Sequence, residues 1–208
     1  MTLTVIASDP DAGMLGLATM TCLVGVGDVV PAGRLNVGLI ACQAHIRPSA
    51  RTAILDLMEK GISMSDAVAG VLAKDPLAER RQILGVDASF KPFAVTGAEV
   101  ESVCGALLGA NYVIAGNLLR HQSVLHAAEM ALLQGMDRPI HERLMSALLA
   151  GEQAGGDRRG RKSAAMYVLR PDQRQLSLRI DFAEDPLGSL REAMIQRVSP
   201  ELDTAFNR

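Results

Sequence analysis

Apolar and polar positions divide the chain into segments with strand-like and helix-like periodicity. Short apolar runs that alternate with polar residues and end at Gly, Pro, Asn or Asp predict strands, and apolar positions three and four residues apart predict helices. The predicted strands cover residues 2–7, 14–22, 36–44, 82–87, 93–96, 112–115, 164–169 and 176–182. The predicted helices cover a segment around residues 53–58 and then residues 63–73, 123–134, 140–150 and 187–197.

The order of these segments indicates the fold class. Strands come in adjacent runs joined by turns such as residues 8–13 and 171–173, and pairs of helices separate the runs. Strands joined by turns favour antiparallel sheets, and returning helix pairs favour helices packed outside stacked sheets. We therefore predict an α+β fold with two stacked, mainly antiparallel sheets and helices outside. The 208 residues fit one domain, residues 1–208, in which residues 185–208 form a C-terminal helix and tail.

The composition predicts an aliphatic core and argues against several classes of partner. Hydrophobic residues make up 49% of the chain, but aromatic residues make up only 3% and Trp is absent. Lys and Arg number 21 against 23 Asp and Glu, so no global charge attracts nucleic acid or an anionic membrane. The chain has no apolar run long enough to span a bilayer and no basic signal-peptide start. We predict a cytoplasmic protein with no nucleic-acid partner and no membrane partner.

The spacing of potential ligands predicts no metal and no cofactor. The four histidines form no HxxxH or HExxH pattern, and Cys22, Cys42 and Cys104 show no paired spacing. Gly25 and Gly27 are not followed by a predicted helix, so the sequence shows no phosphate-binding glycine loop.

Thr2 is the first candidate for chemistry. Removal of Met1, which is common before a small residue, would leave Thr2 as the N-terminal residue at the start of a strand. A threonine hydroxyl needs a base, and a free α-amine with a pKa of about 7.7 to 8 can serve as one. Thr4 lies on the same face of the strand as Thr2 because side chains alternate. A β-prone residue that merely begins a strand would give the same pattern, so both interpretations stay open.

Other polar residues stand where apolar segments end. They are Gln43 and His45, then Asn117, and then the charged stretch 157–163. If the ends of two stacked sheets converge on one cleft, amides there could donate to an oxyanion, and Arg could hold a carboxylate. Each also has a simpler interpretation: Gln43 could pair with backbone, His45 could lie in a surface loop, Asn117 could cap a helix, and the charged stretch could be a solvated turn.

Several segments resemble one protein family. The sequences are IASDPDAGMLGLA (6–18), GLIACQAH (38–45), LGVD (84–87), TG (96–97), IAGNLL (114–119) and AGGDRRGRKSAA (154–165). Together they resemble DUF1028, an uncharacterised family in the Ntn-hydrolase-like superfamily, over roughly residues 1–185. The resemblance implies a four-layer αββα sandwich. It also implies a homo-oligomer with a small-molecule substrate or ligand.

The resemblance further implies a function and a set of site residues. In N-terminal-nucleophile hydrolases the first residue of the first strand attacks an amide carbonyl, which suggests a hydrolase that cleaves an amide bond of a small, anionic substrate. The alternative is a non-catalytic small-molecule-binding or homo-oligomeric relative with the same fold. The implied catalytic residues are Thr2, Gln43, Asn117, Asp157 and Ser163. The implied substrate-binding residues are Thr4, Thr21, His45, Arg158 and Arg161. The chain departs from proteasome-type enzymes in having no lysine before Lys60.

Overall fold

The computed structural model describes residues 2–101, 103–171 and 175–198. The strands are β1 (Thr2–Asp9), β2 (Met14–Thr21), β3 (Pro31–Arg34), β4 (Gly38–Ala44), β5 (Arg81–Asp87), β6 (Pro92–Thr96), β7 (Gly105–Leu108), β8 (Tyr112–Asn117), β9 (Ser163–Leu169) and β10 (Leu176–Ile180). The helices are α1 (Val26–Val29), α2 (Pro48–Glu59), α3 (Met64–Leu72), α4 (Ser123–Gln134), α5 (Ile140–Gln153) and α6 (Pro186–Val198), and a short 3-10 turn covers Ala78–Arg80.

In the described part of the chain the strands form two sheets. The larger has the order β10-β9-β2-β1-β8-β7, and the smaller has the order β3-β4-β5-β6. Every pairing between named strands is antiparallel. The predicted α+β class with two antiparallel sheets is therefore confirmed.

Three apolar clusters show how the layers stack. One joins the larger sheet to α4, α5 and α6, and another joins the smaller sheet to α2 and α3. The third lies between the two sheets and contains Ile6, Leu17, Leu39, Leu84 and Val113. The order of layers is thus helix, sheet, sheet, helix, and the predicted αββα sandwich is confirmed.

The alternation of side chains along β1 decides what each residue contacts. Leu3 and Val5 pack in the cluster beneath the helices, whereas Ile6 packs between the sheets. Thr2 and Thr4 share the face of Ile6 because strand side chains alternate with period two. Both threonines therefore point into the layer between the sheets.

Some elements were not predicted. β3 and β7 have only four residues each, too few to show a period, and their pairing with β4 and β8 makes them strands. The single turn α1 follows Gly25, where no helix was predicted. The predicted turn at 171–173 lies outside the described residues beyond Pro171, as does the predicted tail beyond Val198.

Candidate functional site

One end of the layer between the sheets is polar. We call it the polar end, and it consists of Thr2, Thr4, Thr19, Thr21, Gln43, Gln82 and Asn117, each at most 3% exposed. Strand pairing brings them together, because Thr2 lies opposite both Thr21 and Asn117, and Gln43 lies opposite Gln82. The two sheets thus place seven buried polar side chains in one cluster.

Thr2 is hydrogen-bonded through both its backbone nitrogen and its side-chain hydroxyl. Its backbone nitrogen donates to Asn117 Oδ1 over 3.2 Å. Its Oγ1 donates to Thr21 Oγ1 over 3.4 Å, which is a long contact for two hydroxyls. Asn117 therefore contacts the nitrogen that would become the α-amine after removal of Met1, a residue outside the described ranges.

The amides of the polar end form a connected chain of hydrogen bonds. Gln82 Oε1 accepts from Gln43 Nε2 over 2.7 Å and from Asn117 Nδ2 over 3.1 Å. Gln43 Oε1 accepts from the Thr4 hydroxyl over 2.6 Å. This chain links the smaller sheet to Thr2 in the larger one.

A cavity of about 400 Å³ opens beside the polar end. Its lining residues are Thr2, Leu23, Ala44, His45, Arg80, Glu99, Val100, Glu101, Asn117, Leu118 and Arg159. Thr2 and Asn117 are members of both the polar end and the cavity wall, so a molecule in the cavity would meet these two side chains. The size suits a small ligand rather than a macromolecule.

Two residues of the cavity wall have left-handed backbone. Ala44, the last residue of β4, has φ 71°, and Leu118, which follows β8, has φ 52°. A residue with a Cβ loses roughly 1–2 kcal/mol in this conformation. Such conformations are found at functional sites, where the surrounding structure holds the backbone in place. Here both lie at strand ends that border the cavity.

The charged groups around the cavity are paired. Arg80 Nε contacts Glu99 Oε2 at 2.8 Å, and Arg158 Nη2 contacts Glu101 Oε2 at 3.5 Å. Arg159 Nε lies 3.3 Å from Asp157 Oδ1. Arginine, rather than lysine, supplies the cations of the cavity wall in the described chain.

Asp157, the one carboxylate of the charged stretch 157–163, is buried, at 4% exposed. It accepts the Arg159 backbone N–H over 2.8 Å and is hydrogen-bonded by the Cys22 thiol. Burial raises the pKa of Asp157 above its ordinary value, against the opposing effect of these hydrogen bonds. Burial, and then the nearby Asp157 charge, also raise the pKa of Cys22. The Cys22 thiol is therefore not activated as a nucleophile.

Some predicted site residues do not reach the cavity. Gln43 and Thr4 lie beneath it, where their polar atoms hydrogen-bond inside the polar end. Ser163 Oγ donates to Leu23 O and accepts from Val26 N, so it fixes a loop rather than a ligand. Arg161 pairs with Glu152 and Asp185 instead. None of these four residues lines the cavity, and the roles predicted for them stay predictions.

Other predicted residues lie at or near the cavity. Thr2, His45 and Asn117 line it, and Thr21 accepts a hydrogen bond from Thr2. Arg158 does not line it but pairs with Glu101, which does. The roles predicted for these five residues stay proposals.

The polar or charged residues that sequence reasoning missed at the site include Gln82, Arg80, Glu99 and Arg159. Gln82 begins the strand predicted over residues 82–87, where a polar residue is common, and its contacts with the larger sheet form only when the two sheets stack. The sequence suggested Arg158 and Arg161 as substrate-binding residues instead of Arg159, because a loop has no periodicity that indicates which side chain points inward. The signal in the sequence was that Gln43 and Gln82 are both amides near the ends of predicted strands, 36–44 and 82–87.

The described residues hold no group of three or more His, Cys, Asp or Glu side chains able to bind a metal ion. Over the same ranges, none of the helices has the length and apolarity needed to cross a membrane.

Comparison with known proteins places the chain in a family. The model of a family described as "Family of unknown function (DUF1028)" matches residues 2–190, and the chain belongs to this family. A DUF1028 protein of known crystal structure, from Silicibacter pomeroyi, is 34% identical, with a TM-score of 0.89 over 95% of this chain and 86% of that one. No match was found among curated proteins.

Two more distant solved structures are Anbu proteins. Anbu (ancestral beta-subunit) from Yersinia bercovieri has a TM-score of 0.45 at 9% identity, and the match covers 100% of this chain and 97% of that one. An Anbu (Gly-1) mutant from Hyphomicrobium sp. strain MC1 has a TM-score of 0.42 at 14% identity with the same coverage. Similarity at this level carries no conclusion about the chemistry of this chain.

Proposed function

We propose that this protein is an N-terminal-nucleophile hydrolase that cleaves an amide bond in a small, anionic substrate. The observation that carries the proposal is the placement of Thr2. Its nitrogen is hydrogen-bonded to Asn117 Oδ1, its hydroxyl is hydrogen-bonded to Thr21, and the residue lines a cavity of about 400 Å³. A residue that merely begins a strand would not need these three features together.

The proposed reaction begins after removal of Met1. The α-amine of Thr2 takes the proton of its own hydroxyl, and Oγ1 attacks the carbonyl carbon of the amide. The carbonyl electrons move to oxygen and then return, the C–N bond breaks, and the leaving amine takes the proton from Thr2. The α-amine of Thr2 then takes a proton from water, and the resulting hydroxide attacks the ester carbonyl. The bond between the carbonyl carbon and Thr2 Oγ1 breaks, Oγ1 takes the proton back from the α-ammonium group, and the acid is released.

In this proposal the backbone N–H of Ala44, rather than the Gln43 side chain, donates the hydrogen bond that stabilises the oxyanion. Ala44 lines the cavity with Thr2, and its left-handed backbone ends the strand at that point. Preorganised backbone donors of this kind stabilise the charge that develops on oxygen. Asn117 instead orients the α-amine, because its amide oxygen accepts from the Thr2 nitrogen.

Arg159 and Arg80 are the proposed partners of the substrate's anionic group. Both line the cavity, although each also pairs with a carboxylate of the protein. A guanidinium has five N–H donors, so it can keep one partner and still bind a carboxylate. Leu23, Val100 and Leu118 would contact the apolar part of the same molecule.

A second candidate is a small-molecule-binding protein without catalysis. The observation that favours it is the set of cations in the cavity wall, which are arginines in ion pairs with Glu99 and Asp157 rather than a lysine beside Thr2. In that case Thr2→Ala would leave ligand affinity unchanged, whereas Arg159→Gln would weaken it through the loss of a charge-assisted pair.

We also propose that the chain self-associates, as family resemblance suggests. Helix α4 leaves Met130 at 55% and Leu133 at 42% exposure, three residues apart on its outer surface. Met130→Glu combined with Leu133→Glu should then give a smaller species in light scattering than the wild type. An unchanged mass would contradict association through α4.

The cytoplasmic location stays a prediction.

The catalytic proposal is tested with a β-lactone, which acylates activated hydroxyl groups. The protein without Met1 should gain one acyl group on Thr2, and Thr2→Ala should gain none. Ser8→Ala is the matched control, because Ser8 is a buried hydroxyl residue at the opposite end of the same strand. Competition by Cys42 is weak, since burial raises the pKa of its thiol to about 12. Equal labelling of Thr2→Ala would contradict the proposal.

The anionic specificity needs a separate experiment. Short carboxylated amides should slow lactone labelling of the wild type and should protect Arg159→Gln about tenfold less well. Arg34→Gln is the control, because Arg34 forms its ion pairs with Asp56 and Glu59 away from the cavity. Equal protection of all three proteins would exclude Arg159 as the anion partner.

A further inference from the structure

Gln82 is the most enclosed amide of the polar end. It is 0% exposed and does not line the cavity. It lies in β5 of the smaller sheet, whereas Thr2 lies in the larger sheet. Any influence of Gln82 on Thr2 must therefore pass through a side chain that contacts both, and Asn117 is one that does.

The surroundings of Gln82 determine which way its amide faces. Its Nε2 lies 3.0 Å from Thr96 Oγ1, 3.2 Å from Gly105 O and 3.1 Å from Gly116 O. The two backbone carbonyls can only accept hydrogen bonds, so the nitrogen must face them. The reversed amide would place oxygen against two carbonyl oxygens inside a dry layer, which is strongly unfavourable.

This orientation determines that of Asn117. With Nε2 on the carbonyl side, Gln82 Oε1 faces the polar end and accepts from Asn117 Nδ2 over 3.1 Å and from Gln43 Nε2 over 2.7 Å. Gln43 cannot reverse its own amide freely, because its Nε2 also donates to Ala115 O over 3.3 Å. Asn117 must therefore present nitrogen to Gln82 and oxygen to Thr2.

We propose that Gln82 is a positioning residue that fixes the Asn117 amide so that its oxygen faces the Thr2 nitrogen. The inference rests on the proposed function, in which that nitrogen is the catalytic base. When the amine takes the hydroxyl proton, the new ammonium group donates to Asn117 Oδ1. The reversed amide would direct an NH₂ donor at the lone pair of the amine and would block it as a base.

The test is the pH profile of Thr2 acylation by the β-lactone, measured for wild type and Gln82→Met without Met1. Methionine is similar in length to glutamine, but it has no amide oxygen to accept the Asn117 N–H and therefore cannot orient the Asn117 amide. We expect the plateau rate to fall about tenfold or more, since general-base catalysis contributes about 10²–10⁴-fold. We also expect the midpoint to move down by about one pH unit, because an acceptor that favours the ammonium form is lost.

The midpoint separates positioning from general structural damage. Besides the α-amine of Thr2, the charged or titratable groups that face the cavity are the same in wild type and variants, so they do not account for a difference in midpoint. They are His45, Arg80, Glu99, Glu101 and Arg159. Gln43→Met is the matched control, because it removes an equally buried amide that bonds to Gln82 but not to Asn117. It should lower stability and leave the midpoint where it is. Equal midpoints in Gln82→Met and wild type would overturn the inference.

A second measurement does not depend on the variant or on the proposed function. Neutron diffraction from deuterated wild-type crystals shows which atoms of Asn117 and Gln82 carry deuterium. We expect the deuterated amide nitrogen of Asn117 to face Gln82 and its oxygen to face Thr2. A deuterated nitrogen facing Thr2 would overturn the inference even if Gln82→Met did not fold. Failure of the wild type to label, with the expected neutron result, would instead contradict only the proposed function.

Discussion

The two halves of the layer between the sheets are equally buried but differ in chemistry. One half contains Ile6, Leu17, Leu39 and Leu84, all at most 1% exposed, and the other is the polar end. Burial of polar groups is costly unless they are hydrogen-bonded. No side-chain N or O atom of the polar end lacks a partner among the described residues. The apolar half stabilises the sandwich, and the polar end fixes the positions of particular atoms.

Gln82 and Leu84 make this comparison on a single strand. They are two residues apart in β5, and both point toward the larger sheet. Apolar side chains could fill the site of Gln82 without the cost of desolvating an amide. The chain nevertheless keeps an amide there, and departures from local folding rules of this kind are expected where function requires them.

The largest effect is expected in the apolar half. Leu84→Ala removes a fully buried side chain and leaves a cavity between the sheets. We expect the free energy of unfolding to fall by about 3–4 kcal/mol. Chemical denaturation measures it, and a loss below about 1 kcal/mol would show that this half packs loosely.

Asp75 supports the cavity wall through Arg81, which contacts His45. Its carboxylate, 2% exposed as a side chain, pairs with Arg81 and Arg47, and Arg81 also donates to His45 O. The hydrogen bond from Arg81 holds the pKa of Asp75 well below its usual value near 3.8. Asp75→Asn leaves Arg81 without its carboxylate, and we expect a loss of about 3 kcal/mol at neutral pH.

The Asp75 contribution has a definite pH dependence. A carboxyl group with a lowered pKa stabilises the fold above its unfolded pKa and loses this effect as the pH falls toward the folded value. The difference in unfolding free energy between wild type and Asp75→Asn should therefore shrink below about pH 4. A difference that stays constant from pH 7 to pH 3 would contradict the assignment.

A smaller effect is expected for a single amide of the polar end. Gln43→Leu leaves the Thr4 hydroxyl without its amide acceptor and removes one donor from Gln82. An unsatisfied buried partner costs about 1–3 kcal/mol, so we expect a loss near 2 kcal/mol. A neutral or stabilising result would mean that the polar end rearranges more easily than its hydrogen bonds indicate.

The smallest effect is expected at Ala44. Glycine relieves the left-handed strain but adds chain entropy to the unfolded state, so Ala44→Gly should stabilise the protein by about 0.5 kcal/mol. Ala41→Gly, on the same strand, should destabilise it by about 1 kcal/mol or more. Destabilisation at both positions by the same amount would argue against strain at the cavity.

Local patterns predicted much of the fold and part of the site. Period-two alternation placed Thr2 and Thr4 on one face of β1, and the position of Ile6 in the layer between the sheets agrees with this. The predicted helix 63–73 starts at the N-cap of α3, Ser63, whose hydroxyl accepts the Asp66 N–H over 3.2 Å. Both features depend on residues close together in the chain.

What the sequence did not reveal depends on contacts between distant segments. The role of Gln82 requires the smaller sheet to lie against Gly105 and Gly116. The choice between Arg158 and Arg159 depends on a loop whose glycines have left-handed backbone, such as Gly156 and Gly160. Neither arrangement follows from propensity or period.

The most direct measurement is the intact mass of untagged wild-type protein before and after reaction with a β-lactone, with the adduct located by peptide sequencing. The account predicts that Met1 is absent and that one acyl group is attached to Thr2. An adduct on another residue, or no adduct on protein whose N-terminus is Thr2, would contradict the claim that the polar end activates a nucleophile.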